Sequence, residues 1–253
     1  MFFYASIGGI HYQLEDGEFT SLVEPLVGGT SRSANGRFRV ADQLSLLGED
    51  GPQPDLPQGL IYEPDFVSGN EAEALLSEID GEGAPWLADL SRRVQHYGFK
   101  YDYRARRIVR SMHLGPLPGW LRHLADQVTG FVESNEGFES VEPLEPFDQA
   151  IINEYEPGQG IAAHVDCEPC FGPMVATLSL GSAIVMQFEH TRTGVRKPVH
   201  LEKHSLAVLT GETRYEWNHS ISNRQSDPPP GGRGQRVQRR RRVSITFRTV
   251  IFD

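Results

Sequence analysis

The residues best suited to chemistry in this 253-residue chain are three potential metal ligands. His164 and Asp166 are separated by one residue, and on a strand such residues project to the same face. His219 lies further along, after a strand-like run that ends at Thr210. Two imidazoles and one carboxylate form the facial triad that holds Fe(II) and leaves coordination positions open. The spacing therefore predicts an iron site made by His164, Asp166 and His219.

The last strand-like run, residues 242–251, has two faces of different polarity. Alternate residues on one face are Arg242, Ser244, Thr246 and Arg248. Guanidinium groups bind carboxylates through paired hydrogen bonds, so an arginine at each end predicts a site for a small dicarboxylate. Asn153 and Tyr155, also two residues apart, offer further donors from another strand. An exposed edge strand protected by its arginines is the alternative.

Five runs of residues together resemble the AlkB family of Fe(II)- and 2-oxoglutarate-dependent dioxygenases. They are 153–161 (NEYEPGQGI), 164–166 (HVD), 178–182 (LSLGS), 219–221 (HSI) and 242–248 (RVSITFR). The resemblance extends over about residues 58–253 and implies a double-stranded β-helix fold. We therefore expect an α+β, mainly β, jelly-roll core with flanking N-terminal helices.

The same resemblance implies an oxidoreductase that uses Fe(II), 2-oxoglutarate and O2, with His164, Asp166 and His219 as iron ligands. It also implies that 2-oxoglutarate is held by Asn153, Tyr155, Arg242 and Arg248, with one arginine at each carboxylate. Ser244 departs from the bacterial enzyme of the family, which has Asn at this position. We therefore expect that one hydrogen bond to the cosubstrate is either lost or replaced by one from the Ser244 hydroxyl.

The elements that must position these residues are mostly short strands. Frequent Gly (26) and Pro (17) predict many turns. Strand-like patterns cover 149–155, 174–180, 183–189, 197–201, 205–210 and 242–251, and several short strands at close spacing favour a sandwich or jelly-roll. A helix is predicted after Ser68, whose capping box uses Glu71, and a second helix starts near Pro118.

The charge is unevenly distributed along a chain of net charge −10. Residues 1–57 are read as an acidic extension and linker, and residues 58–253 as the catalytic domain. Two local basic clusters, residues 92–110 and 233–242, fit contacts with nucleic-acid phosphates, although solvated charged loops explain either cluster alone. No apolar run is long enough to span a membrane, so we expect a cytoplasmic protein, the simplest state being a monomer.

Four residues are candidates for substrate contact. Tyr97 and Tyr101 lie in residues 97–104, an aromatic and basic strand-like segment that resembles the nucleotide-recognition lid of AlkB proteins. Aromatic faces are equally compatible with core packing. Glu168 follows Asp166 where repair enzymes of the family carry an acid that meets an exocyclic amine, and Trp217 either borders the site or fills the core.

Our primary hypothesis from the sequence is oxidative demethylation of 1-methyladenine and 3-methylcytosine in DNA or RNA, with release of formaldehyde and succinate. Glu168 favours it, because a carboxylate accepts a hydrogen bond from an amino group and not from the carbonyl of uracil. Residues 210–219 instead resemble a tRNA-hydroxylating homologue. The alternatives are therefore a tRNA wobble-uridine hydroxylase, a protein oxidase of the same family, and a catalytically silent RNA-binding protein. Cys167 and Cys170 are expected to be reduced and without a role.

Overall fold

The computed structural model describes residues 3–7, 10–15, 18–21, 55–88, 90–135 and 144–252. The chain separates into two compact units, Met1–Gln53 and Pro54–Asp253. In the first unit, β1 (Phe3–Ile7), β2 (Ile10–Glu15) and β3 (Glu18–Ser21) form an antiparallel sheet in that order. The rest of the predicted acidic extension, up to residue 54, lies outside the described residues.

The second unit combines short strands with a few helices. Its α-helices within the described residues are α1 (Gly69–Ile79), α2 (Gly119–Glu133) and α3 (Gly211–Tyr215). Its strands there are β4 (Leu60–Glu63), β5 (Val94–Tyr97), β6 (Gln149–Tyr155), β7 (Ile161–His164), β8 (Phe171–Gly181), β9 (Ile184–His190), β10 (Arg196–Leu201), β11 (Leu206–Leu209), β12 (Trp217–Ile221), β13 (Ser226–Asp227), β14 (Val237–Gln238) and β15 (Arg242–Val250). None of these helices is long and apolar enough to cross a membrane.

Two antiparallel sheets form the jelly-roll core. The larger has the strand order β4-β11-β8-β15-β6-β5, and the smaller has the order β10-β9-β12-β7. Side chains from both sheets, among them Val175, Leu209, Phe188 and Ile221, form one buried cluster. The predicted jelly-roll with flanking helices is confirmed, and its two sheets enclose the site described below.

Each central strand of the larger sheet divides its side chains between two environments. Ile152, Leu178 and Ile245 pack with residues of α1 and α2 in a separate core cluster. Their neighbours of opposite parity, such as Asn153 and Ser244, face a cavity. Because side chains alternate along a strand, one face of the larger sheet packs against the helices and the other face lines the site.

Local signals in the sequence account for the start of α1. Oγ of Ser68 accepts a hydrogen bond from the backbone N–H of Glu71, and Oε2 of Glu71 accepts from the backbone N–H of Ser68. This capping box satisfies two donors that a helix start otherwise leaves unpaired. Behind it, Ala72 and Ile79 are buried against the sheet.

Two strand predictions were wrong in ways that matter for the site. Strand β7 ends at His164, so Asp166 lies in the following loop and not on the strand. Strand β5 ends at Tyr97, because Gly98 has a positive φ of 73° and the chain turns there. The segment predicted as one strand over 97–104 is therefore a strand end followed by a loop.

Candidate active site

The three predicted metal ligands lie close together. Their potential ligand atoms all lie within 4.8 Å of one another. His219 on β12 is the direct cross-strand partner of His164 on β7, and their ring centroids are 4.3 Å apart. Nε2 of His219 is 3.9 Å from Oδ2 of Asp166. Strand pairing therefore brings the two imidazoles together, and the loop after β7 adds the carboxylate.

The environment favours the protonation states that bind a metal. Burial lowers the pKa of His219 to about 3, which keeps its imidazole neutral at physiological pH. Burial on its own raises the pKa of Asp166, but nearby positive charge, above all that of Arg248, holds it well below its usual range. His164 places Nδ1 2.8 Å from the carbonyl oxygen of Ala162, which orients the ring and leaves Nε2 for a metal.

Two buried arginines on β15 line the cavity, and one of them contacts the triad. Nη2 of Arg248 donates to Oδ1 of Asp166 at 2.9 Å. Nη2 of Arg242 donates to Oγ of Ser179 at 2.8 Å, and burial lowers the pKa of Arg242 to about 10, so it stays charged at neutral pH. Nε of each arginine is buried without a hydrogen-bond partner among the described residues. Unpaired buried donors of this kind call for an anionic ligand.

Strand β6 completes this polar wall. In its pairing with β15, Tyr155 faces Arg242 and Asn153 faces Ser244. All four side chains line the cavity, and the Arg242 guanidinium lies 5.4 Å from the centroid of the Tyr155 ring. Ser244 is buried in this wall.

The residues present fit both an Fe(II) ion and 2-oxoglutarate. His164, Asp166 and His219 offer the ligand types and the proximity that a facial triad requires. The unpaired guanidinium donors of Arg242 and Arg248 suit the two carboxylates of a small dicarboxylate.

The cavity has a volume of about 400 Å³ and reaches from this wall to an aromatic mouth. Tyr101 and Tyr103 line the mouth with their rings 5.0 Å apart in an edge-to-face arrangement, and exposed Arg106 joins them. A turn holds their loop, in which Oδ1 of Asp102 accepts hydrogen bonds from the backbone of Arg104 and Ala105. The mouth thus brings aromatic rings and positive charge into the same cavity as the triad.

The other substrate candidates do not line the cavity in this structure. Tyr97 packs edge-to-face on Trp120 and donates its hydroxyl hydrogen to Gln95. Trp217 belongs to the core cluster between the sheets, with its ring 5.1 Å from that of His190. Glu168 is exposed in the loop after Asp166. Of the four, only Tyr101 lies with the triad around one cavity.

Sequence reasoning missed the role of Arg214 in the site's architecture. This side chain of α3 is fully buried and donates to the carbonyl oxygens of Asp166 (3.0 Å), Phe171 (3.0 Å) and Gly172 (3.1 Å). Arg214 therefore fixes the loop that carries Asp166. Its own helix, α3, directly precedes β12, which carries His219. The only available signal was an arginine five residues before a predicted ligand histidine.

Two further sequence expectations are corrected. Cys167 and Cys170 form a disulfide, with Cα atoms 5.3 Å apart, and so they are not reduced. A turn in which the N–H of Cys170 donates to the carbonyl of Cys167 brings them together. The second basic cluster is also not one surface patch. Arg239 is buried against Asp227, and Arg242 lines the cavity.

Comparison with known proteins agrees with this geometry. The sequence model of the 2OG-Fe(II) oxygenase superfamily matches residues 59–248, which defines the class of the protein. Members of this class use Fe(II) and 2-oxoglutarate to oxidise their substrates. More narrowly, the chain belongs to the AlkB family of these oxygenases.

Several relatives carry AlkB names. The chain is 38% identical over 184 residues to "tRNA (carboxymethyluridine(34)-5-O)-methyltransferase ALKBH8" of Macaca fascicularis, covering 68% of this chain and 25% of that protein. It is 31% identical over 211 residues to "Alkylated DNA repair protein ALKBH8 homolog" of Arabidopsis thaliana, covering 76% and 58%. The solved structure of OsALKBH1 shares the fold, with a TM-score of 0.53, 18% identity and coverage of 76% of this chain and 97% of that one. The chain thus spans only part of the first two relatives.

Proposed function

We propose that this oxygenase oxidises a carbon substituent on a base of tRNA. The observation that carries the proposal is the cavity, which joins the triad to a mouth formed by Tyr101, Tyr103 and Arg106. A base must leave its stack to reach a buried metal, and aromatic rings stabilise such a base by about 1 to 3 kcal/mol through stacking. The name of the macaque relative, which refers to carboxymethyluridine 34 of tRNA, supports this choice of nucleic acid.

The chain's own residues divide the work. An Fe(II) ion with 2-oxoglutarate and O2 supplies oxidation of a C–H bond, with conversion of the cosubstrate to succinate and CO2. His164, Asp166 and His219 hold the ion, and Arg242 and Arg248 bind the two carboxylates of the cosubstrate. Asn153 and Tyr155 orient the cosubstrate, and the apolar surface between the sheets limits access of water to the site.

Two outcomes are possible for the oxidised carbon. Hydroxylation of a substituent at C5 of uridine leaves a stable product that has gained one oxygen atom. Hydroxylation of an N-methyl group gives a product that loses formaldehyde and leaves the bare base. Because Glu168 is exposed and does not line the cavity, its support for the second outcome is weak, and we propose the first.

Removal of N-methyl groups from 1-methyladenine or 3-methylcytosine stays as the second candidate. Its support is the position of Glu168 in the short loop between β7 and β8, which also carries Asp166 and which Arg214 fixes. Rotation of that exposed side chain toward the mouth would give an acceptor for an exocyclic amine.

One experiment separates these candidates. The purified protein is incubated with Fe(II), 2-oxoglutarate and O2 together with anticodon stem-loop RNAs that carry 5-carboxymethyluridine or its methyl ester, or with oligonucleotides that carry 1-methyladenine. Mass spectrometry of the nucleosides then detects oxygen gain or methyl loss. Oxygen gain on the uridine supports the proposal, whereas methyl loss from adenine alone supports the second candidate. The variant His164→Ala is the control and should form neither product.

A further inference from the structure

A third buried arginine, besides Arg242 and Arg248, reaches the active-site cavity. Arg92 is only 8% exposed, precedes β5 and lines the cavity. Its Nε donates to Oδ1 of Asn153 at 2.9 Å, and its guanidinium lies 5.7 Å from the centroid of the Tyr155 ring. These contacts with two neutral groups hold the side chain in place but do not neutralise its charge.

The adjacent Arg93 differs from Arg92, because its charge is paired within the protein. It forms a two-point ion pair with Glu154, at 2.6 and 2.7 Å, and lies over the ring of Trp86. Arg92 has no such partner, since no ion pair joins it to a carboxylate in the described part of the chain. Burying a cation without a counter-charge is costly, so Arg92 is kept for a ligand that arrives with negative charge.

The charge balance of the cavity points to the substrate as that ligand. The charged residues of the lining are Arg92, Arg106, Arg242, Arg248 and Asp166. A ferrous ion, Asp166 and a doubly charged cosubstrate together carry one negative charge, which Arg242 and Arg248 already exceed. Arg92 and Arg106 are then in surplus.

The position of Arg92 also favours the substrate. Burial raises the pKa of Tyr103, and the next largest influence on that hydroxyl is the charge of Arg92, which lowers it. Arg92 and Tyr103 line the same cavity. Arg92 is buried and Arg106 is exposed, so of these two surplus arginines Arg92 is the one held inside the cavity.

We propose that Arg92 is a specificity-determining residue that binds an anionic oxygen group of the substrate, favouring a base whose substituent ends in a carboxylate. This inference rests on the proposed function and adds the charge of the substrate to it. A phosphate of the same nucleotide has the same chemistry and is the other possible source. The burial of Arg92 favours the carboxylate.

The test compares two anticodon stem-loop RNAs that differ only in charge, one with 5-carboxymethyluridine and one with its methyl ester. Dissociation constants are measured by fluorescence anisotropy without O2, with Fe(II) and 2-oxoglutarate present. We expect the wild type to bind the acid more tightly, and Arg92→Gln to weaken that binding by about 10- to 100-fold with little effect on the ester. Arg92→Lys, which keeps the charge, should retain part of the preference even if the Gln variant fails to fold.

Arg93→Gln is the matched control, and it should leave both dissociation constants unchanged. An equal loss for both RNAs in Arg92→Gln assigns the anion to the phosphate and overturns the preference for the carboxylate. A raised KM for 2-oxoglutarate in Arg92→Gln, with unchanged RNA binding, assigns Arg92 to the cosubstrate and overturns the proposal. The proposal is also overturned if Arg92→Gln binds each RNA as tightly as the wild type does. Failure of the proposed function is separately visible, because no oxidised nucleoside then forms from either RNA in the presence of O2.

Discussion

Nη2 of Arg248 donates a hydrogen bond to Oδ1 of Asp166 at 2.9 Å, so one guanidinium contacts a metal ligand and lines the cosubstrate cavity. The same guanidinium lies 4.8 Å from the centroid of the Phe171 ring, which restricts its position. Arg248 therefore positions Asp166 and keeps an unpaired Nε donor inside the cavity.

Replacement of Arg248 should weaken cosubstrate binding. In Arg248→Gln we expect an affinity for 2-oxoglutarate about 10- to 100-fold lower, because a charge-assisted hydrogen bond contributes roughly 1.5 to 3 kcal/mol. Calorimetric titration of 2-oxoglutarate with Mn(II) in place of iron measures the change. Arg241→Gln is the control, since Arg241 pairs with Asp80 and Glu154 outside the cavity. Equal affinities in Arg248→Gln and the wild type would refute this role.

Loss of Arg214 should loosen the loop that carries Asp166. Arg214→Met removes the donor that the carbonyl oxygens of Asp166, Phe171 and Gly172 share, so we expect the free energy of unfolding to fall by about 3 kcal/mol or more. We also expect weaker binding of Mn(II), because Asp166 is no longer held in place. Urea denaturation and metal titration measure the two effects. Arg192→Met, which removes an exposed ion pair with Glu216, should change neither. A destabilised variant with unaltered metal affinity would limit Arg214 to a purely structural role.

The sequence predicted those parts of the fold and of the site that depend on local patterns. The capping box of Ser68 and the alternation along β15 are short-range features, and the structure contains both. The burial of Arg214 could not be predicted, because it depends on carbonyl groups far away in the chain. The same holds for Trp217, whose place in the core is decided by how the two sheets pack.

Gly98 explains why residues 97–104 do not form one strand, and its replacement should be costly. The residue has a φ of 73°, and a Cβ atom there would lie 1.8 Å from the carbonyl oxygen of Asp148. We expect Gly98→Ala to lower the free energy of unfolding by about 3 kcal/mol or more, through strain and overlap together. Thermal and chemical denaturation provide the measurement.

The matched control for Gly98 is Gly130 in α2. A Cβ atom at Gly130 meets nothing within 4 Å, and its backbone is helical. Gly130→Ala should therefore stabilise the protein by about 0.5 to 1 kcal/mol, as expected for Ala in a helix. If both alanine variants had the same stability, overlap with Asp148 would not be the reason for the turn at Gly98.

The last prediction concerns acid stability and the buried carboxylate of Asp227. Oδ2 of Asp227 accepts from Nε of Arg239 at 2.6 Å, and Oδ1 accepts from Nε of Arg224 at 2.7 Å. Burial on its own raises the pKa of Asp227, but hydrogen bonds from Arg239 and then Arg224 lower it below its ordinary value. This carboxylate therefore stabilises the fold above its unfolded pKa of about 3.9, and that contribution is lost as the pH falls through the lower folded pKa.

Asp227→Asn removes the charge but keeps the shape, so it isolates this contribution. At pH 7 we expect the variant to be less stable by about 3 kcal/mol, because Arg239 is left buried without its counter-charge. The difference should shrink as the pH falls below about 4, where the wild type loses the same charge. Denaturation of both proteins from pH 7 to pH 2 measures it, with Asp126→Asn, at an exposed helix pair, as the control. A stability difference that stays constant over this range would mean that the pairing of Asp227 with the two arginines adds nothing to the pH dependence.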